Sequence, residues 1–393
     1  MENLKKLGLP DTFCFAPYTN LDLDQDGTWY PCYRSKEPQG HWKEYNVTET
    51  YNSYNIQKVR MDLWKGVFPE NCRQCKERES NGTRSTRQEY NEHLLELADN
   101  LDFIDDIKRK PQFGGIENIH TMEVRPHSLC NLACGHCDEH SSSRWLKLKR
   151  LPKDQFKYHL IDDPDYLKTF YHKAENLKTV HFTGGEPLIY ASSHKEWLKG
   201  ISNKKEIELR YHTNLNHDRI STYAMDWAQF KHVKFFVSID TSQRYYEYFR
   251  FGGNWNRMDH NLKYLKDKHE VVGIITVNFL TMLDLVGLVR YMVENNLQIH
   301  VAFVDPPHPM TIAYMSDQQK LHAMNQIIEA TNELKYEEEW KVKRGTQALQ
   351  KIKEFLETTW KVGELTNLGE QRKEQIKHLD YLDKIYKMSW NEL

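Results

Sequence analysis

Residues 128–140 read SLCNLACGHCDEH and bring Cys130, Cys134 and Cys137 into one short stretch, three residues between the first pair and two between the second. A closed structural zinc site takes four protein ligands, whereas three thiolates suit an iron–sulfur cluster that leaves one iron open to an outside ligand. The spacing therefore predicts a catalytic centre. Outward from it the chain alternates between strand-like and helix-like segments. IHTMEVRP leads into the cysteines, and LKTVHFTGGEP, EIELRYHTN, VKFFVSID, VVGIITVNF and LQIHVAFVD follow. Between them lie the amphipathic SSHKEWLKGI, RISTYAMDWAQF, MDHNLKYLKDK and LDLVGLVRYMVENN. Six such units predict an α/β fold, a partial (β/α)6 TIM-like barrel, with the chemistry at the carboxyl ends of its strands.

Two strand ends carry further signals. In TGGEP, Gly184 and Gly185 allow the backbone to approach a ligand closely, and Glu186 can accept from an ammonium group. In SID, Ser238 and Asp240 suit ribose hydroxyls and equally suit an ordinary strand-end cap.

The order CNLACGHC, GGEP, SID resembles that of the radical S-adenosylmethionine (SAM) enzymes, over residues from about 119 to 310. The resemblance implies that Cys130, Cys134 and Cys137 hold three irons of a [4Fe–4S] cluster, the fourth being chelated by SAM. It implies that Gly184, Gly185, Glu186 and Pro187 line the SAM amino group, that Ser238 and Asp240 meet the ribose, and that Thr213 and Asn214 face the cofactor. His136 stands where many members have an apolar or aromatic residue against adenine, and Arg250 in YFRFGGNW resembles an arginine that reaches the SAM carboxylate. The implied reaction is reductive cleavage of SAM to methionine and a 5′-deoxyadenosyl radical that abstracts hydrogen, with flavodoxin or ferredoxin as electron donor.

The other four of the seven cysteines lie in the first eighty residues. FCFAPYTNLDLDQDGTWYPC places Cys14 and Cys32 around a DQDG hairpin turn, and ENCRQCKERE supplies Cys72 and Cys75 as a CxxC. Four thiolates close a site for zinc or for a cluster, and spacing does not separate the two. The pattern C-x12-G-x4-C resembles the opening of the SPASM and twitch domains, which implies an auxiliary [4Fe–4S] cluster, here ahead of the barrel instead of after it. With no further cysteines available, the single-cluster twitch arrangement is the expectation. The expected organisation is thus an auxiliary-cluster β-hairpin domain over residues 1–110, a barrel over 111–312 and a helical region over 313–393.

Whole-chain properties bound the partners. The formal charge of −2, from 54 basic and 56 acidic residues, gives no general attraction to nucleic acid. Mean hydropathy of −0.78 and an amino terminus without an apolar core predict a cytoplasmic chain without a membrane segment. KLKRLPK reads as a solvated helix end, and the NVT and NGT sequons carry no weight in such a compartment. Candidate substrate contacts at strand ends are Arg125, His212, Asn278 and Asp305. Peptide oxidation or cross-linking is the expected activity, from family frequency. No leader-recognition pattern precedes Cys14, which keeps dehydrogenation or rearrangement of a small molecule (aminosugar, nucleotide or amino acid) close behind. A structural iron–sulfur or zinc protein leaves the order of the three motifs unexplained.

Overall fold

The computed structural model describes residues 2–35, 37–41, 49, 51–80, 84–97, 103–152, 176–189, 191–335, 337–361 and 368–393. Both sequons and Lys153 of the basic stretch lie outside the described residues. The chain forms two compact units: Met1–Ser128 with Phe156–Arg210 and Tyr223–His232, and Leu129–Gln155 with Tyr211–Thr222 and Val233–Leu393. None of the described helices is long and apolar enough to cross a membrane.

In the first unit, β1 (Asn20–Leu23) and β2 (Thr28–Tyr30) form the expected hairpin, with Gly27 at φ 88° in a turn that only glycine enters freely. β3 (Gly40–His41) extends β2, while β4 (Thr121–Val124) and β6 (Thr179–Phe182) complete the order β6-β4-β1-β2-β3. β1 runs parallel to β4, and β4 parallel to β6, so that Asp22 lies beside Glu123 and Glu123 beside His181. Side chains on a strand alternate between faces. Leu21, Leu23, Met122, Val124, Val180 and Phe182 make one face, each 3% exposed or less. Asp22, Glu123 and His181 lie on the other.

An apolar cluster that includes Leu4, Phe13, Phe15, Tyr18, Phe103 and Ile107 anchors the chain around Cys14. Arg60, on the helix Tyr54–Trp64, is fully buried beside it. Its guanidinium donates to the carbonyls of Pro17 (2.9 Å), Tyr51 (2.9 Å) and Gln112 (3.3 Å) and lies over the rings of Tyr18 and Tyr51.

The second unit holds the short antiparallel pair β5 (Ala133–Cys134) and β9 (Arg250–Phe251). It also holds the parallel strands β10 (Glu270–Val277) and β11 (Gln298–Phe303), together with β8 (His232–Ser238) from its second residue. β7 (Glu208–Thr213) begins in the first unit and ends in the second. β10 is buried at six of its eight positions, as expected of a parallel strand covered on both faces. The helices Trp255–Lys266 and Leu285–Glu294 occupy the crossovers, and three helices, Asp317–Leu334, Glu339–Lys361 and Leu368–Tyr386, form the expected helical end. Strand and helix thus alternate as the sequence predicts for a partial (β/α)6 barrel.

One helix is shorter than expected. Residues 219–230 form a 3-10 turn at Ile220–Tyr223 and a single α-turn at Ala224–Trp227. The chain then bends away because the Lys231 amide bonds back to the Lys204 and Ile207 carbonyls.

Replacing Arg60 by Met keeps volume but strips several buried carbonyls of their donor, which is expected to lower unfolding free energy by about 3 kcal/mol. Urea unfolding followed by circular dichroism checks it, and an unchanged midpoint would contradict this role.

Candidate active site

The second unit gathers the three cysteines of the central stretch. Cys134 is on β5 and pairs directly with Arg250 on β9. The pairing is fixed on several sides: the Gly135 amide donates to the Phe249 carbonyl (2.8 Å), the Trp145 indole to the Cys134 carbonyl (3.0 Å), and the Tyr386 hydroxyl to the Ala133 carbonyl (2.7 Å). Arg250 is 4% exposed. It donates to Asp240 Oδ2 at 2.5 Å and to Cys134 Sγ at 3.5 Å, while its Nε is buried with no hydrogen-bond partner. Burial works against the guanidinium's charge, but Asp240 outweighs it and holds the pKa above the ordinary value.

Each thiol of the triad is addressed by a donor or by a neighbouring thiol. Cys130 Sγ accepts from the Leu132 amide (3.4 Å) and from Asn214 Nδ2 (3.7 Å). A hydrogen bond between Cys134 and Cys137 lowers the first thiol and raises the second, and the Arg250 charge adds to the lowering of Cys134. His136 stacks on Phe249 with centroids 5.1 Å apart, and burial pulls its pKa to about 4, so the ring is neutral near pH 7. Among the described residues no three His, Cys, Asp or Glu side chains converge on a single ion. Three thiols in one stretch, each met by a donor or a neighbouring thiol, can supply the three protein ligands of a cluster that keeps one iron open.

The remaining expected residues fall as follows. Asp240, at φ 61°, has its second carboxylate oxygen bonded by the Thr276 amide (2.7 Å), so both oxygens are engaged within the protein. Ser238 is half-buried at the end of β8. Thr213 accepts from the Leu215 amide, and Asn214 Oδ1 from the Asn216 amide. His212 stacks on Phe236. Asn278 is fully buried and bonds Thr276, Leu280 and Thr281 within its own turn. Asp305 lies after β11, its carbonyl accepting from the His308 amide.

GGEP belongs to the first unit and is described there by itself. Gly184 has φ 107°, and a Cβ on it would lie 2.7 Å from the His127 carbonyl oxygen. The Gly185 amide donates to that same oxygen at 3.0 Å. The close approach that the two glycines permit is thus to the chain's own backbone at residue 127. Glu186 is fully buried, one carboxylate oxygen accepting from the Leu188 amide, and Pro187 is buried beside it. Arg125, a candidate substrate contact, is held by the carboxylates of Asp22, Glu123 and Asp24.

Cys14, Cys32, Cys72 and Cys75, also in the first unit, line one cavity together with Arg87 and Tyr90. Burial and the neighbouring sulfurs push Cys14 and Cys72 well up, and burial pushes Cys32 to about 12. Thiols that resist ionisation this strongly become thiolates when a cationic metal centre supplies the compensating charge. Sequence reading missed the frame around them. Arg87 is bidentate to Glu79 (2.9 and 2.6 Å) and donates to the Asp11 and Phe13 carbonyls. Asn91, one helical turn on, brackets Cys14 by bonding the Phe13 carbonyl and the Phe15 amide. Glu79 lies one turn beyond Cys75 on the helix Arg73–Ser80, so Arg87 ties the Cys75 helix to the Cys14 loop.

Family models match two regions of the chain. Residues 124–292 match the radical SAM superfamily, and residues 14–76 match SPASM, an iron–sulfur cluster-binding domain. The chain carries a radical SAM domain and, ahead of it, a SPASM domain. Both domains imply iron–sulfur clusters. A comparison with curated proteins finds no match. Among solved structures, the chain is similar to a histidine-tagged anSMEcpe with bound AdoMet at 16% identity over 55% of this chain and 59% of that one, with a TM-score of 0.40. It is similar to Streptococcus suis SuiB bound to S-adenosylmethionine at 15% identity over 82% and 69%, with a TM-score of 0.36. For SuiB bound to its precursor peptide SuiA the values are 15%, 66% and 60%, with a TM-score of 0.37. The matched region spans about three fifths of the anSMEcpe chain.

Two outcomes are expected. Asn214→Ala removes one N–H···S bond and is expected to lower the potential of the cluster that Cys130, Cys134 and Cys137 would hold by about 40 mV, the equivalent of ~1 kcal/mol for one electron; an EPR-monitored redox titration reads it, and an unmoved potential refutes it. Arg87→Met, which leaves Glu79 with the Ser85 hydroxyl but no guanidinium, is expected to reduce iron per chain by about half through loss of the centre that the four cysteines would hold. Full iron content in that variant would show that the clamp is dispensable.

Proposed function

We propose that the chain is a radical SAM enzyme that abstracts hydrogen from a substrate carbon and so oxidises or cross-links a peptide. The observation that carries this reading is the β5–β9 rung, which sets a buried guanidinium with a partnerless Nε directly beside a cluster cysteine. When bound, the cluster and SAM supply one-electron cleavage of the sulfonium to methionine and a 5′-deoxyadenosyl radical.

The chain's own residues do the rest. Arg250 offers a fixed positive charge and an unused donor where a SAM carboxylate would be held, and Asp240 keeps that side chain in place. Neutral His136, flat against Phe249, offers a stacking surface for a purine. Donors at Cys130 and Cys134 stabilise the reduced, more negative state of the centre they would hold. The four-cysteine site supplies every ligand from the protein. It suits uptake of the electron left on a substrate radical, which favours net oxidation over isomerisation. Peptides are the frequent substrates among the SPASM-bearing proteins that the chain resembles.

Anaerobically reconstituted protein with SAM and a flavodoxin or dithionite reductant is expected to release 5′-deoxyadenosine, and Cys134→Ala to release none. A peptide-sized fraction of host extract should stimulate release. Stimulation by the metabolite-sized fraction alone would overturn the peptide reading, and absence of release from loaded wild-type protein would overturn the radical reading itself.

A further inference from the structure

The polar face of the first unit's sheet carries more charge than folding accounts for. One rung crosses β2, β1, β4 and β6 as Tyr30, Asp22, Glu123 and His181. Like charges directly opposite on neighbouring strands repel, and a buried carboxylate is tolerated only when its lone pairs are met. Asp22 is 0% exposed and Glu123 8%. Asp24 follows on the same side, so three carboxylates share the guanidinium of Arg125, at 3.3 Å (Asp22), 3.5 Å (Glu123) and 3.7 Å (Asp24). His181 Nδ1 lies 3.8 Å from Glu123 Oε2, and the Thr183 hydroxyl donates to Glu123 Oε1 at 3.4 Å.

These contacts are long, unlike the 2.6 and 2.9 Å bonds of Arg87 to Glu79 in the same unit. Asp22 Oδ1 is buried and has no hydrogen-bond partner, and the same is true of Asn20 Oδ1 two residues earlier on that face. Acceptors outnumber donors. Burial raises both the Asp22 and Glu123 carboxyls, the charges of Glu123 and Asp24 adding to the rise at Asp22 and that of Asp24 to the rise at Glu123, with Arg125 opposing it only in part. The rung opens at one edge, where Arg125 and Asp24 keep 27% and 30% of their side chains exposed. It lies toward the carboxyl ends of three parallel strands, and Thr183 links it to the adjoining Gly184–Gly185 turn.

The acceptors left over are spread along the rung, Asp22 Oδ1 with no partner and Glu123 with long ones, which suits a group with several separated donors better than a single point charge. What the face lacks is a compact organic cation with several donors. We propose that the Tyr30–Asp22–Glu123–His181 rung binds an ammonium or guanidinium group, and that, given the radical reading above, the substrate presents one, as a lysine or arginine side chain or a free amine.

The test uses the full chain loaded with its clusters and two matched probes, N-acetyl-lysine amide and its neutral isostere N-acetyl-norleucine amide, with binding read by saturation-transfer NMR. The lysine probe is expected to bind about tenfold or more tightly than the norleucine probe. Asp22→Asn, Glu123→Gln and the rim variant Asp24→Asn should each shrink that preference, with circular dichroism and iron content confirming the fold; Asp24→Asn serves if the buried variants do not fold. Equal binding of the two probes, or a preference that survives all three substitutions, would overturn the inference. So would displacement of the lysine probe by Mg2+, which would make this a metal site, or by SAM, which would give the acceptors to the cofactor's own ammonium. SAM cleavage is measured separately on the same preparation. Cleavage without a cation preference removes only this inference, and a cation preference without cleavage removes only the radical reading.

Discussion

The parallel pairing of β1 with β4 is the constraint from which the first unit follows. A hairpin strand ordinarily finds its second neighbour nearby in sequence, yet β1 aligns in register with a strand about a hundred residues later. That register sends every apolar residue of β1 to the face already lined by Met122 and Val124. It leaves Asp22 no place except beside Glu123. A slip of one residue would exchange the two faces and bury Asp22 among leucines. The cysteines on either side of the hairpin are positioned by the same register, because Cys14 and Cys32 flank the paired segment.

Three buried arginines then do three different jobs with one planar, always-charged fork. Arg60 satisfies backbone carbonyls, Arg87 joins two ligand-bearing segments through Glu79, and Arg250 stands between a carboxylate and a sulfur. A lysine could not replace any of them. Its single ammonium cannot span two carboxylate oxygens and two carbonyls at once, as Arg87 does.

What could be read from the sequence was local. Thiolate spacing marked both cysteine groups, since CxxxCxxC and CxxC are decided within a few residues. Period-two and period-3.6 patterns marked the six strands that alternate with helices and the longer helices from residue 191 onward, but none of the helices of the first 150 residues. The residues that surround those cysteines were not legible, because their partners are brought in by tertiary register. Arg250 had a family signal, but its place opposite Cys134 depends on a pair of two-residue strands, too short to show any period. Arg87 and Asn91 share a helical face, which periodicity shows, although nothing in the sequence says that the face bonds residues 13 and 15. Asn278 shows the opposite failure: a polar residue at a strand end looks available for a ligand until its side chain is seen to be spent on its own turn.

The four cysteines of the first unit come from three separate pieces of chain around one cavity, in which burial holds Cys14, Cys32 and Cys72 against ionisation. Before metal arrives, that cavity is a gap in the core that favours neutral thiols. After metal arrives, it is a cross-link joining a loop, a hairpin and a helix. Loading of a metal centre there would then be a step in folding. A chain without metal there would leave the loop, the hairpin and the helix unjoined, with Cys14, Cys32 and Cys72 kept neutral and so slow to oxidise.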